Sequence, residues 1–379
     1  VRILILAACF YINSVFADVI VGFSAYENGD YTTAYPHLIQ AAKDGNNDAM
    51  YVLGRMYQYG YGVNKDTSKA ADWYRKAADK NNALAELSLG FLYDNGEGVK
   101  RDLRQAFDWY MKAAKQGNPI AQRNIGLMYA VGDGVTQDDP KSYEWFKKSA
   151  EQGYARAQVN LAYQYMMGVG TSKNVEQAQY WYQKAAEQGD AKGQYSLALL
   201  YTGKYGVAPD QRAATYWFTN AANQGHKNAQ AYLAYQYLNG LGVDADAQKA
   251  AYWYQASAEQ GNNIAQEELG QLFLTGQGVD KDYEQAAFWF GKSAERGNPL
   301  AQGKLGYLYM AGLGVGKDLP KAYAWLKIAA QNKNEQAAKE LSQLEPTLSL
   351  EDVQAGDAYF NQLKSKIPAP GSENEEDDD

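Results

Sequence analysis

The 379-residue sequence predicts an all-α solenoid of helix–turn–helix repeats. Three observations predict it. Its eight tryptophans, Trp73, Trp109, Trp145, Trp181, Trp217, Trp253, Trp289 and Trp325, stand 36 residues apart throughout. Leu53, Leu89, Ile125, Leu161, Leu197, Leu233, Leu269 and Leu305 keep the same period. Gly or Ala always follows them, and Tyr or Phe stands one helical turn on, from Tyr57 to Tyr309. Gly62 recurs in all eight copies, through Gly314. A fixed period of this size is the signature of a repeat architecture. The copies fill residues 46–333.

Each copy follows from local chemistry. Ala49, Leu53 and Tyr57 are four apart and share one helical stripe, which predicts helix A over 47–59. Gly60-Tyr61-Gly62 ends it, because glycine takes the left-handed conformation that terminates helices. Asp66 recurs as Asp102, Asp138, Asp210, Asp246, Asp282 and Asp318, with Asn174 in the remaining copy. Asp or Asn before an apolar-periodic run is an N-cap, so helix B runs over 67–80. Pro140 and Pro320 fall in its first turn, where proline is tolerated. Its buried stripe is Ala70, Trp73 or Tyr74, Ala77 and Ala78; Gly117, Gly153, Gly189, Gly225, Gly261 and Gly297 close later copies. The small residue at 54 is read as admitting a neighbouring helix, with the ring at 57 filling the space beside it. One helix pair cannot bury Trp73 and Tyr57, so the copies must stack. The Leu53, Tyr57 and Trp73 columns are accordingly assigned to the core.

The ends differ from the copies. Val1-Arg2, an apolar run from Ile3 to Phe16 and Ala17 make residues 1–17 a secretory signal peptide, cleaved after Ala17. Leu6-Ala7-Ala8-Cys9 has the form of a lipoprotein box, but only eight residues precede Cys9 and more apolar residues follow it. Residues 18–45 form an N-terminal capping segment, a spacer plus a lone helix B, with His37 at the tryptophan phase and Gly45 closing it. Residues 334–366 form C-terminal capping helices: Ala337 and Leu341 keep the helix A phase, and Ser349 starts a terminal helix. The tail, 367–379, holds six of the chain's carboxylates and is expected to be disordered.

Composition excludes several function classes. Net charge is −8, which argues against a nucleic-acid binder with a basic face. One cysteine excludes a disulfide framework and Cys-based zinc sites; two histidines, His37 and His226, leave little room for triads or His-based metal sites. His226 stands in the column of Asn82, Asn118 and Asp190, an exposed helix start. The Gly-x-Gly pairs are helix punctuation, not phosphate loops. Lys76, Lys112, Lys148, Lys184 and Lys292 stripe helix B and read as a solvated face paired with nearby carboxylates.

The string Ala49-x-x-x-Leu53-Gly54-x-x-Tyr57-x-x-Gly60-x-Gly62-Val63-x-x-Asp66-x-x-x-Ala70-x-x-Trp73-Tyr74-x-x-Ala77-Ala78 resembles the Sel-1-like repeat, a 36-residue cousin of the tetratricopeptide repeat. The resemblance covers about three quarters of the chain. It implies a right-handed superhelix that binds other proteins, with helix A lining the concave face and helix B the convex one. It implies a bacterial exported member, periplasmic or secreted, acting as a non-catalytic scaffold or adaptor. A cysteine-rich branch is linked to β-lactam binding or hydrolysis, but the cysteine pair of each of its repeats is missing here. The alternatives are an envelope enzyme or ligand-binder acting on β-lactam or cell-wall material, and a secreted host-interaction factor. Groove-facing columns are then 48, 51, 55, 58 and 59. Later copies place there Tyr163, Met166, Met167, Tyr195, Leu199, Tyr235, Leu238, Leu274, Tyr307 and Met310, an apolar lining suited to an extended or helical peptide. Copy one places Tyr51, Arg55, Gln58 and Tyr59, and the next two Asp94, Asn95 and Arg123, so that end reads as polar. Expected partners are other proteins, with no nucleic acid, no cofactor, no metal, no integral membrane segment after cleavage, and a monomeric chain.

Overall fold

The computed structural model describes residues 19–368; the signal-peptide and acidic-tail assignments lie outside them. Among the described residues the regular elements are all helical. They divide into two compact units, one ending at Gln188 and one starting at Gly189. The N-terminal unit holds α1 (19–27), α2 (Tyr31–Lys43), α3 (Asn47–Tyr59), α4 (Thr67–Ala78), α5 (Ala83–Asn95), α6 (Leu103–Lys115), α7 (Pro119–Val131), α8 (Asp139–Glu151), α9 (Ala155–Met167) and α10 (Val175–Glu187). The C-terminal unit holds α11 (Ala191–Tyr201), α12 (Gln211–Asn223), α13 (Lys227–Asn239), α14 (Ala247–Glu259), α15 (Asn263–Thr275), α16 (Tyr283–Glu295), α17 (Pro299–Ala311), α18 (Leu319–Gln331), α19 (Glu335–Leu344) and α20 (Leu350–Lys366). Odd helices α3–α17 are the A helices of the eight copies, and even helices α4–α18 are the B helices. The start of the N-terminal capping segment, read above as a spacer before the lone helix B, is itself helical over 19–27.

Helix length is set at both ends by hydrogen bonding. The Asp66 column caps every B helix: Asp66, Asp102, Asp138, Asn174, Asp210, Asp246, Asp282 and Asp318 each accept from a first-turn amide. The same residues donate their own backbone N–H to the carbonyl of the aromatic column, as Asp66 does to Tyr57 at 2.8 Å and Asp318 to Tyr309 at 3.1 Å. The spacer is thereby closed on itself, and its length is fixed. A helices are capped by Asn46, Asn82, Asn118, Asp190, His226, Asn262 and Asn298; Tyr154 stands in this column without a side-chain cap. His226 is therefore a working cap, its Nδ1 accepting from the Ala229 amide at 3.2 Å, and its ring stacks on Tyr195 at 4.5 Å. At the far end of α3, Gly60 takes φ 78° and donates to Met56.

Packing corrects two sequence expectations. The core ring of the first seven copies is the residue after the tryptophan. Tyr74, Tyr110, Phe146, Tyr182, Phe218, Tyr254 and Phe290 are all buried while their tryptophans stay partly exposed; in copy eight Leu326 takes that place and Trp325 is buried as well. The indoles do cover core side chains from outside, as Trp73 and Trp109 do beside Tyr74 and Leu89. The ring that needs the small residue at 54 is also Tyr74, not Tyr57: a Cβ on Gly54 would stand 2.5 Å from it. Gly90, Gly126 and Gly270 meet Tyr110, Phe146 and Phe290 in the same way. Tyr57 instead stays half-buried and pairs its hydroxyl with that of Tyr35 at 2.7 Å. Burial together with this bond pushes the Tyr35 phenol up to about 12.

A polar ladder runs through the buried side of the repeats. Gln122, Gln158, Gln230, Gln266 and Gln302, at the first turn of their A helices, donate to the carbonyls of Ala114, Ala150, Ala222, Ala258 and Ala294. Gln152, Gln188, Gln224 and Gln260 then donate to the oxygens of Gln122, Gln158, Gln194 and Gln230, at 2.6 to 2.8 Å. Gln122, Gln158 and Gln230 thus each satisfy a carbonyl at the end of one helix B and are held by a glutamine from the next; Asn332 holds Gln302 in the same way, and the buried Gln266 oxygen is left without a partner. Copy two has Glu86 in this column, held by Gln116, and burial raises its carboxyl pKa.

The lysine stripe on helix B lies over rings. Lys76, Lys112 and Lys148 sit 4.1, 3.6 and 4.2 Å from the centroids of Trp73, Trp109 and Trp145. Cation–π contact on the same helix, rather than carboxylate pairing, places these ammonium groups. At the C-terminus, α20 packs on α18: Lys327 bonds Asp357 at 2.6 Å, and the Tyr323 ring lies under Gly356. Ser349 and Asp352 form a capping box that starts α20.

Two outcomes are expected. Phe218→Ala should cost about 3–5 kcal/mol, and Trp217→Ala clearly less, measured as urea midpoints; equal losses would return the tryptophan column to the core. Hydrogen bonds centred on Lys69, Lys141 and Lys249 hold Asp66, Asp138 and Asp246 below the usual carboxylate range. Their contribution is present above the unfolded pKa and is lost as pH falls through the folded one. A triple Asp→Asn variant should keep its caps, as Asn174 does, and lose less of its stability between about pH 7 and about pH 3 than the parent. A parallel decline in both proteins would contradict this.

Candidate functional site

Helix A buries one face and leaves another open. In α3 the buried positions are Ala49, Met50, Val52, Leu53, Gly54 and Met56. Columns 55 and 59, one turn apart, escape them and share a stripe.

In the N-terminal unit that stripe is apolar and exposed. Tyr163 and Met167 on α9 are 52% and 54% exposed, and Val131 on α7 is 66% exposed. Phe91 on α5 is exposed and Leu127 half-buried. The sequence reading missed Phe91, Leu127 and Val131 because it judged the first copies by Arg55, Asp94, Asn95 and Arg123; Phe91 and Leu127 follow Arg55 in column 55, and Val131 follows Asn95 in column 59. Met166 is only 5% exposed and leaves the candidate surface. The reason lies in column 58: Gln58 and Asp94 accept from the Tyr74 and Tyr110 hydroxyls, so this column faces the core tyrosine of its own copy.

Copy one closes the stripe with a polar cluster. The Arg55 guanidinium lies 5.9 Å from the centroids of both Tyr26 and Tyr59. Tyr59 in turn stacks on Tyr61 at 5.5 Å, and Tyr61 on Tyr31 at 5.0 Å.

In the C-terminal unit Tyr235 on α13 and Tyr307 on α17 are exposed. Leu199, in column 55, is half-buried, as are Leu238, Leu274 and Met310, which stand in column 58 with Met166. Tyr195 is half-buried and held between His226 and the Phe218 and Tyr232 rings, which makes it a packing residue first. The same face carries charge: Glu267, 5% exposed, is paired with Lys304. Beside it, burial and the Glu267 carboxylate raise the pKa of Glu268.

The B helices carry a second exposed series that the sequence reading did not single out. Tyr180 on α10 is exposed, as are Tyr216, Tyr252 and Phe288 on α12, α14 and α16, each set edge-on to the adjacent tryptophan. Column 72 carries Asp72, Asp108 and Glu144 in the first three copies. Among the described residues no group of three His, Cys, Asp or Glu side chains could hold a metal ion, and no helix is long and apolar enough to cross a membrane.

Comparison with known proteins gives the same repeat. The Sel1 repeat model matches eight consecutive segments, 47–82, 83–118, 119–154, 155–190, 191–226, 227–262, 263–298 and 299–334. A Sel1 repeat protein from Oxalobacter formigenes is 36% identical over 82% of this chain and 90% of its own, with a TM-score of 0.61. A protective antigen of uropathogenic Escherichia coli strains, described as displaying an SLR fold, is 30% identical over 93% of this chain and 92% of its own, with a TM-score of 0.42. With eight matched repeats on an all-α solenoid of paired helices, the chain belongs to the Sel1 repeat family.

Proposed function

We propose that this chain is a non-catalytic scaffold that holds segments of partner proteins on the exposed columns of its A helices. One observation carries the reading. The columns that build the repeat are buried or hydrogen-bonded, while columns 55 and 59 leave large apolar side chains in water, among them Tyr163, Met167 and Tyr235. Neighbouring exposed apolar groups of this size mark interaction surfaces more often than they mark folding requirements. Tyrosine and methionine suit a peptide-binding surface, since tyrosine adds a hydroxyl to a broad apolar ring and methionine adapts its shape. Copy one differs, because Arg55 is framed by tyrosines; a partner segment lying across it would be best served by a carboxylate there. The apolar leader Ile3–Phe16 points to export, so the partner belongs to the periplasm or the exterior.

The test is a crosslinking capture from the envelope fraction. Wild type is compared with Tyr163→Ala/Met167→Ala and with Tyr235→Ala/Tyr307→Ala, captured proteins being identified by mass spectrometry. The exposed positions should change stability by no more than about 0.5 kcal/mol each, so urea midpoints stay put while a specific partner is lost from at least one variant. A partner retained at wild-type yield by both variants places binding elsewhere, and a wild type that captures nothing counts against the scaffold reading.

A further inference from the structure

One residue of the buried polar ladder differs in its chemistry from the rest. The column that holds Gln122, Gln158, Gln194, Gln230, Gln266 and Gln302 holds Glu86 in copy two. Glu86 is 2% exposed, in the first turn of α5. It keeps one half of the glutamine pattern: Gln116 donates to its Oε2 at 2.7 Å, across the same 30 residues that separate Gln152 from Gln122. The other half needs a proton. Gln122, Gln158, Gln230, Gln266 and Gln302 each donate Nε2 to the carbonyl eight residues earlier, at 3.1 to 3.2 Å. Eight residues before Glu86 stands Ala78, the last residue of α4. Its carbonyl accepts from the Asn81 amide at 2.8 Å, as the Ala114 carbonyl accepts from Gly117 at 3.0 Å. An ionised carboxylate has no hydrogen to add to it.

The surroundings favour the neutral form. Lys112 of α6 is the cation whose field reaches the carboxyl, and its ammonium is seated 3.6 Å from the Trp109 centroid. Lys115 on α6 and Asp79 and Lys80 after α4 are exposed. Asp48 of α3 accepts from Asn82 at 2.8 Å, and Arg123 of α7 donates to Asn160 at 2.9 Å. Burial outweighs the Gln116 bond and Lys112, and holds the carboxyl pKa above the ordinary glutamate value. A carboxyl taken out of water without a paired cation gains its proton rather than stay charged.

We propose that Glu86 is a proton-operated joint between copies one and two: protonated, its free oxygen donates to the Ala78 carbonyl as a glutamine amide would, and ionised, it sets two acceptors against each other there. The sign follows from linkage. The unfolded glutamate ionises near 4.5 and the folded one at higher pH. The stabilisation is complete below the unfolded value and is lost as pH rises through the folded one. Between the two, the folded chain holds one more proton, so this group raises the unfolding constant about tenfold per pH unit. The capping aspartates run the other way, so the joint shows only against a variant that removes Glu86 alone. The helix it acts on, α5, also carries the exposed Phe91.

Urea midpoints of the full chain at about pH 5 and about pH 8, for the wild type, Glu86→Gln and Glu86→Met, test the proposal. Glu86→Gln installs the common residue of the column, whose amide donates at every pH. Glu86→Met installs the residue found at position 50, the same column in copy one, and can donate nothing. The Gln variant should exceed the wild type at the higher pH, by a margin that shrinks at the lower. The Met variant should lie below the Gln variant at both, and below the wild type at the lower pH. Hydrogen exchange at the α5 amides should follow the same order. A margin between wild type and Gln variant that is equal at both pH values would mean that no proton titrates at Glu86. A Met variant as stable as the wild type at the lower pH would mean that no bond to Ala78 depends on it. Either result overturns the proposal.

Discussion

The contact on which the repeat depends is a ring laid flat on helical backbone. In copy one, Tyr74 of α4 lies on Gly54 of α3, so close that a methyl group on Gly54 would overlap the ring. This sets how near helix B comes to helix A, and therefore which other side chains can reach across. Leu53 and Ala49 then share one core cluster with Ala70 and Ala77, and all four are fully buried. Copies four to six carry Ala162, Ala198 and Ala234 at the glycine position, all fully buried, so the repeat tolerates one methyl there. Core formation is thus short-range in sequence. The ring and its seat are 20 residues apart in copy one, and each pair can form before its neighbours stack on it.

Apolar contact alone would not terminate the helices so regularly. The A helices of seven copies are 13 residues long, and only α11 is shorter, at 11. The uniformity comes from polar groups with few alternatives. The Asp66 column caps helix B with its side chain and closes the spacer with its backbone amide, so a shift of one residue would orphan two hydrogen bonds at once. The glutamine ladder does the same deeper down. Gln158 is 4% exposed, bonded to Ala150 and held by Gln188, so the amide is satisfied only when two copies stack in register. Leaving such a group unpaired in the interior costs about 1–3 kcal/mol, enough to make the stacking register specific as well as favourable.

These constraints explain what was legible in the sequence. Helix boundaries, caps and the copy number follow from period and punctuation, because glycine and aspartate act through their own backbone and need no knowledge of the neighbours. The assignment of rings to core or surface does not follow from period. Trp73 and Tyr74 are adjacent, repeat equally often and are both aromatic; only the angle between the helices decides that Tyr74 points inward and Trp73 lies across the rim under Lys76. Met166 and Met167 pose the same difficulty, one buried and one 54% exposed. The glutamine ladder was visible as a 36-residue recurrence of Gln152, Gln188, Gln224 and Gln260, but its partners lie 30 residues earlier, and nothing in the local sequence indicates that these amides turn inward.

A solenoid of this kind separates folding from recognition by column. Positions that carry the ring seat, the caps and the ladder must agree from copy to copy, because every copy meets a neighbour of the same construction. Positions outside those roles are free to differ, and the differences are where specificity can be written. Column 55 runs Arg55, Phe91, Leu127 and Tyr163 in the N-terminal unit; column 72 runs Tyr216, Tyr252 and Phe288 in the C-terminal unit. The two columns lie on different helices of the copy, so a substitution in one leaves the other's packing untouched. Columns 55 and 72 can therefore vary separately on one scaffold. Gly291 illustrates the separation: within helix B it fills no core position and caps no helix, and a Cβ there would meet nothing within 4 Å, so the fold sets no limit on the side chain at this column.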